Sequence, residues 1–164
     1  MKPAQASNME MSRFLADENS THKLGAELAL ALHPGLVFYL CGDLGAGKTT
    51  LVRAILRGLG YEGKVKSPTY TLVELYVVSS LNLYHFDLYR FADPEEWEGS
   101  GFREYFNPAT VCLVEWPEKA AGFLPPADVE IQFQIRDEGR DMALTAVTEA
   151  GRECLNRLQN MNAI

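Results

Sequence analysis

The sequence predicts an α/β fold, and three observations carry that prediction. Segments 36–40 (Leu-Val-Phe-Tyr-Leu) and 111–115 (Val-Cys-Leu-Val-Glu) are continuous apolar runs of the length and β-rich composition expected of strands buried on both faces of a parallel sheet. A glycine-rich loop follows the first run at once and leads into helical spacing at Leu51, Val52, Ile55 and Leu59. Two further pairs of strand-like segments, each joined by a short polar turn, read as antiparallel hairpins. At 164 residues and 47% hydrophobic, the chain has material for one domain and its core.

Residues 1–12 read as a polar tail, which leaves 13–164 as the domain. Asp17-Glu18-Asn19-Ser20-Thr21 supplies caps ahead of Leu24, Leu28, Ala31 and Leu32 at helical spacing, and His33-Pro34-Gly35 closes that amphipathic helix. The strand at 36–40, the loop and the second helix follow, with Gly58 or Gly60 as the stop. Segments 73–78 and 81–88 pair across Ser79-Ser80, a weak turn signal. Asp93-Pro94-Glu95-Glu96 combines a cap, an N1 proline and an acidic first turn, so a short helix starts there; Gly99-Ser100-Gly101 interrupts it and 102–106 resume it. The strand at 111–115 ends on an acid, and a short helix over 117–121 stops at Gly122. Val129, Ile131, Phe133 and Ile135 alternate with polar residues, Asp137-Glu138-Gly139-Arg140 turns the chain, and Leu144 and Ala146 continue the alternation. Cys154, Leu155 and Leu158 mark a last helix.

Charge and cysteine content narrow the function. Fifteen Lys and Arg against 22 Asp and Glu give a net charge of −7, which disfavours a surface that grips a polyanion directly. The local basic group Arg53, Arg57, Lys64 and Lys66 reads as a solvated face. Cys41, Cys112 and Cys154 are odd in number and far apart, which speaks for buried free thiols in a reducing compartment, not a disulfide framework or zinc set. No apolar leader or membrane-spanning run is present, so a cytoplasmic location is expected.

Residues 42–49, Gly-Asp-Leu-Gly-Ala-Gly-Lys-Thr, match G-x-x-x-x-G-K-[ST] at every fixed position, in the strand, loop, helix order that the motif requires. Glycines allow backbone conformations closed to residues with a Cβ, so successive N–H groups can wrap phosphates. The nucleotide-binding set is therefore Asp43, Leu44, Gly45, Ala46, Gly47, Lys48, Thr49 and Thr50. Lys48 brings a point charge to the outer phosphates and so counts as catalytic, Thr49 is suited to ligate Mg²⁺, and Thr50 reaches a nearer phosphate. Such a loop needs a second acid. Asp87 and Glu115 both end strands; Glu115, closing the more apolar run, is assigned the metal and Asp87 the positioning of water, with strand capping or pairing to Arg90 as the alternative. Thr69, in Ser67-Pro68-Thr69-Tyr70-Thr71, is either a γ-phosphate sensor or part of a strand-entry turn. His85 reads as a structural strand residue, and Trp116 as core or as a partner contact. The guanine-reading N-K-x-D and D-x-x-G patterns are absent, which favours ATP over GTP, and no Arg-rich lid of a small-molecule kinase lies between Arg57 and Glu115.

These residues resemble a known family, the bacterial TsaE (YjeE) ATPases of tRNA threonylcarbamoyladenosine formation. The likeness rests on Gly42-Asp43-Leu44-Gly45-Ala46-Gly47-Lys48-Thr49-Thr50, Lys66-Ser67-Pro68-Thr69-Tyr70-Thr71-Leu72, Tyr84-His85-Phe86-Asp87-Leu88-Tyr89-Arg90 and Leu113-Val114-Glu115-Trp116-Pro117, and spans about 17–150. It implies a P-loop NTPase-like three-layer fold whose parallel core sheet is flanked by antiparallel strands. It also implies ATP hydrolysis with Mg²⁺ alongside TsaD and TsaB, which install the threonylcarbamoyl group on the adenosine beside the anticodon, so that tRNA is met through the complex. Thr49 and Glu115 fall on metal-ligand positions, Asp87, Thr50 and Trp116 on positions of functional importance, and Glu18 near the adenine. A nucleotide-gated binding module, with hydrolysis incidental, is the alternative. The chain departs from the family after Glu96, where Trp97-Glu98-Gly99-Ser100-Gly101 replaces an apolar stretch.

Overall fold

The computed structural model describes residues 9–161. In chain order the elements are β1 (Met9–Leu15), α1 (Glu18–Ala31), β2 (Val37–Cys41), α2 (Lys48–Gly58), β3 (Val73–Val78), β4 (Leu81–Asp87), α3 (Glu96–Ser100), β5 (Thr110–Glu115), β6 (Val129–Arg136), β7 (Gly139–Ala146) and α4 (Glu149–Met161). Two 3-10 turns, Phe102–Tyr105 and Pro117–Ala120, complete the set. The strands form one sheet in the order β1-β7-β6-β2-β5-β4-β3. The four central strands, β6, β2, β5 and β4, run parallel, and antiparallel β7 and β1 on one side and β3 on the other extend them.

Three layers follow from where the apolar residues point. Alternate residues of a strand face opposite sides, so Phe38, Leu40, Leu83 and Leu113 lie under α1, α2 and α4, packed by Leu28, Leu51, Ile55 and Leu155. Val37, Phe86, Leu88 and Val114 face the other way, under Trp97. That residue, fully buried against Phe86, Phe102 and Phe106, supplies the apolar mass where the chain departs from the family pattern. The expected layered α/β fold with a flanked parallel core is the one observed. Asp17 caps α1 as expected, its carboxylate accepting from the Ser20 N–H at 2.9 Å. Helix α2 is held close to α1 at Gly25, where a Cβ would fall 2.3 Å from the Ala54 Cβ.

Several local expectations are corrected. The polar tail does not reach Ser12: residues 1–8 lie outside the described ones, and Met9–Leu15 is β1, in register with β7 from Met9↔Ala146 to Leu15↔Arg140. Glu, Ser and Arg are weak strand formers, so pairing with β7, not local propensity, makes this strand. The helix expected from Asp93 begins only at Glu96. Asp93 instead closes a turn, its Oδ1 accepting from the Glu95 N–H at 3.0 Å and its carbonyl from the Glu96 N–H. The β6–β7 turn is two residues, Asp137 and Glu138, since Arg136 pairs with Gly139. Gly139 belongs to the strand, and Phe14 leaves room there only for glycine, a Cβ falling 2.5 Å from its ring. Ser79 and Ser80 both take positive φ, 51° and 62°, and so form a tight hairpin turn despite their weak signal. Cys112 and Cys154 are buried free thiols as expected, whereas Cys41, at the end of β2, is half-buried. Burial pushes the Cys112 thiol up to about 12. Among the described residues no helix is long and apolar enough to cross a membrane.

Candidate functional site

Parallel strands end together, and here the C-terminal ends of β2, β4 and β5 bring the candidate residues to one edge. Glu115 closes β5 between Leu40 of β2 and Asp87 of β4. From β2 the chain enters the glycine loop. Gly42, Gly45 and Gly47 take φ of 147°, 77° and 107°, and at Gly42 a Cβ would lie 2.8 Å from the Phe133 carbonyl, so both backbone shape and space require glycine. Gly47 gives α2 no side-chain cap. The first N–H groups of α2 therefore keep their donors and the positive end of the helix dipole open to an anion.

Arg140 holds the outside of that loop. Its guanidinium donates to the Ala46 carbonyl at 3.1 Å and the Gly45 carbonyl at 3.0 Å, reaching across from β7. Inside, Lys48 is 4% exposed, donates to the Gly42 carbonyl at 2.5 Å and lies 3.5 Å from the centre of the Trp116 ring. Burial pulls its amine below the usual lysine range, although Glu115, Glu118 and Asp87 oppose the change. Trp116 itself adopts a left-handed backbone, φ 60°, just past β5, and packs its half-buried ring against Tyr89 at 5.0 Å.

The two acids have different surroundings. Glu115 is 3% exposed; it accepts from the Thr49 hydroxyl at 3.0 and 3.2 Å, and its Oε2 lies 2.5 Å from His85 Nε2. Asp87 is 7% exposed and accepts from the Tyr89 N–H at 3.0 Å, with the Thr69 hydroxyl at 3.5 Å and Ser67 behind Thr69 at 2.8 Å. Burial pushes the Asp87 carboxyl above its usual range, the Tyr89 N–H opposes that, and Glu115 adds to it. Neither acid pairs with Arg90, which lies over the Tyr70 ring at 4.2 Å.

A cleft of about 310 Å³ gathers Leu44, Gly45, Gly47, Lys48, Thr49 and Thr50 with Thr69, Asp87, Glu115 and Trp116. Asp43 and Ala46 border a separate depression on the far side of the loop, beside Phe133. Glu18 is exposed at the start of α1 and does not line the cleft. Larger depressions of about 440 Å³ lie along β1, walled by Arg13 and Phe14. They lack buried acids, so chemistry, not size, distinguishes the loop cleft. Among the described residues no three His, Cys, Asp or Glu side chains converge as a metal cage. One hydroxyl and one carboxylate do meet, an all-oxygen pair that suits Mg²⁺, a hard ion that takes one or two carboxylates and fills its remaining positions with water and phosphate oxygens.

From the sequence His85 reads as structural and Arg140 only as part of a turn. His85 had a signal: two residues before Asp87 in one strand, it must share that face. Arg140 had none, since it meets the loop across 94 and 95 positions. The basic group behaves as a solvated face; Arg57, for example, donates to the Tyr61 and Gly63 carbonyls just beyond α2.

Comparison with known proteins agrees with this architecture. The family model described as threonylcarbamoyl adenosine biosynthesis protein TsaE matches residues 15–142. The chain is 47% identical over 155 residues to the tRNA threonylcarbamoyladenosine biosynthesis protein TsaE of Haemophilus influenzae, covering 92% of this chain and 98% of that one. It is 44% identical to the Bacillus subtilis protein of the same name over 115 residues, 70% of this chain and 72% of the other. Among solved structures, the crystal structure of YdiB from Bacillus subtilis superposes with a TM-score of 0.80 at 29% identity, over 96% of this chain and 99% of that one.

Proposed function

This chain belongs to the TsaE family and so acts in tRNA threonylcarbamoyladenosine biosynthesis, within which we propose that it binds ATP with Mg²⁺ and hydrolyses it to ADP and phosphate. The observation that carries the proposal is the meeting of the Thr49 hydroxyl with the buried Glu115 carboxylate, at the foot of a glycine loop whose helix is left uncapped.

Each residue then has a distinct task. The loop N–H groups and Lys48 hold the phosphates, and Lys48 exchanges the Gly42 carbonyl and the Trp116 ring for phosphate oxygens. Thr49 and Glu115 hold Mg²⁺, which when bound neutralises charge on the outer phosphates. Asp87 orients water and accepts its proton as the water oxygen bonds to the terminal phosphorus and the bridging oxygen leaves with ADP. A carboxyl raised by burial is a better base for that transfer than an exposed one. Thr69, beside Asp87, is suited to sense the terminal phosphate.

We further propose that the activity depends on the TsaD and TsaB proteins, that Trp116 contributes to that contact, and that the cycle runs in the cytoplasm, in keeping with three free thiols. With a net charge of −7 the chain meets tRNA through the complex. The test measures Mg-ATP hydrolysis by the chain alone, with the TsaD and TsaB pair, and with tRNA alone. Feeble turnover alone and strong stimulation by the pair support the reading. Absence of calorimetric Mg-ATP binding overturns it, and activation by tRNA without the pair overturns the partner assignment. Support of the modification by a non-hydrolysable analogue as effectively as by ATP would favour the nucleotide-gated module.

A further inference from the structure

We infer that His85 is a positioning residue: by donating from Nε2 to Glu115 Oε2 it fixes the carboxylate beside Thr49. The inference rests on the reading that Thr49 and Glu115 hold Mg²⁺.

Strand β4 presents Leu83, His85 and Asp87 on the face that packs under α2, and β5 presents Leu113 opposite His85 and Glu115 opposite Asp87. His85 is fully buried, and a buried carboxylate beside it needs donors to offset lost hydration. It receives two: the Thr49 hydroxyl, and the imidazole nitrogen at 2.5 Å. The tautomer follows from the contacts. Nδ1 has no partner among the described residues. A proton there would be an orphaned buried donor, and it would set the Nε2 lone pair against a carboxylate oxygen. Both costs vanish when the proton sits on Nε2.

A core position filled for packing alone would be served better by leucine, which leaves no nitrogen unpaired. The unpaired Nδ1 is therefore a cost that the Nε2 bond must offset. What that bond achieves is orientation: with Oε2 tied to His85, the carboxylate cannot rotate away from Thr49, and Oε1 is left with the Thr49 hydroxyl alone. Partners of this kind set the affinity of the ligands they hold, and their loss costs about 10–100-fold in metal affinity.

The test titrates a non-hydrolysable ATP analogue by calorimetry at a series of Mg²⁺ concentrations and in EDTA, for wild type, His85→Phe, His85→Asn and His85→Gln. Gln places an amide N–H near the Nε2 position; Asn is too short and Phe has no donor. The expected result is a Mg²⁺ requirement raised about 10–100-fold in the Phe and Asn variants and largely restored in Gln, with affinity in EDTA unchanged in all four. Equal Mg²⁺ requirements in a wild type and variants that bind the analogue overturn this inference alone, as does an equal loss with and without Mg²⁺, the mark of a packing role. Should the Phe variant fail to fold, the Asn and Gln pair decides: Gln no better than Asn overturns the inference. A wild type whose analogue binding ignores Mg²⁺ overturns the metal assignment beneath it as well.

Discussion

The parallel centre of the sheet and its antiparallel wing are both well packed, yet they finish in different chemistry. In the centre, β5 buries all six of its residues and β4 buries five of seven, so almost nothing along them meets water until the strands end at Asp87 and Glu115. In the wing, β7 alternates buried Met142, Leu144 and Ala146 with half-buried Asp141, Ala143 and Thr145, and its charges pair at the surface, as in Arg136 with Asp141 at 3.3 Å. The difference lies in strand direction. Parallel strands send all their C-terminal ends to one edge, where polar groups held by an apolar strand converge on a loop and a helix N-terminus. An antiparallel ladder alternates its ends and gathers no such cluster. The wing reaches the cleft loop from behind through Arg140 of β7, beside Phe133 of the central strand β6, which packs against Gly42.

If that division holds, damage to the centre should abolish chemistry, and damage to the wing should reduce stability. Asp87→Asn has the largest expected effect: turnover in the partner-stimulated assay falls by about 10²–10⁴-fold, the usual worth of a positioned base, while calorimetric affinity for Mg-ATP is little changed. A parallel collapse of affinity would move Asp87 from the water to the phosphates. Lys48→Ala should come next, with hydrolysis reduced by about 10²–10³-fold on loss of a preorganised charge, and unaltered kinetics would refute the phosphate assignment. Leu144→Ala, in the wing, should lower unfolding free energy by about 2–5 kcal/mol in urea titration. Its turnover at temperatures where it stays folded should match wild type; a catalytic defect there would break the division. Arg140→Ala tests the side-chain link from β7 to the glycine loop and should weaken nucleotide binding by about tenfold through loss of two charge-assisted hydrogen bonds to the loop. Affinity equal to wild type would show that the glycines hold the loop unaided.

The same division explains what the sequence made legible. Segments 36–40 and 111–115 announced themselves because a strand buried on both faces needs a continuous apolar run, and the glycine loop because its backbone shape demands fixed residue types at fixed spacing. Both are local requirements. The identity of β1 is less local: Met9-Glu10-Met11-Ser12 alternates, but Arg13 then faces inward and Phe14 outward, and pairing with β7 settles the register. The contacts that complete the site were also out of reach. His85 and Glu115 meet across 30 positions, and Lys48 meets the Trp116 ring only because the chain turns left-handed after β5. The sequence could name Thr49, Glu115 and Asp87 from their residue types and strand ends, but not which neighbour would orient each. Near Asp93 the local signal was genuine but one turn early, since its carboxylate closed a turn that competes with the helix.

The smallest expected effect concerns pH, and it sharpens the contrast because it arises from a carboxyl buried at the end of a central strand. Burial holds the Asp87 carboxyl above its ordinary value of 3.8, only partly offset by the Tyr89 N–H and Lys48. The folded chain therefore keeps this proton at pH values where the unfolded chain has released it. Stability follows the number of protons bound by each state, so the contribution of Asp87 is fully present below 3.8 and is lost as pH rises through the raised folded value. Asn at this position cannot titrate. Groups remote from Asp87 titrate alike in both proteins, so the difference in melting temperature between Asp87→Asn and wild type reports this carboxyl together with the neighbours coupled to it when both are measured in chelator without nucleotide. Moving from about pH 3 to about pH 7 should shift that difference in favour of the variant, over the window above 3.8. A difference that stays flat, or moves towards wild type, would mean that the folded protein stabilises the Asp87 charge, and the acid would then be poorly suited to take a proton from water.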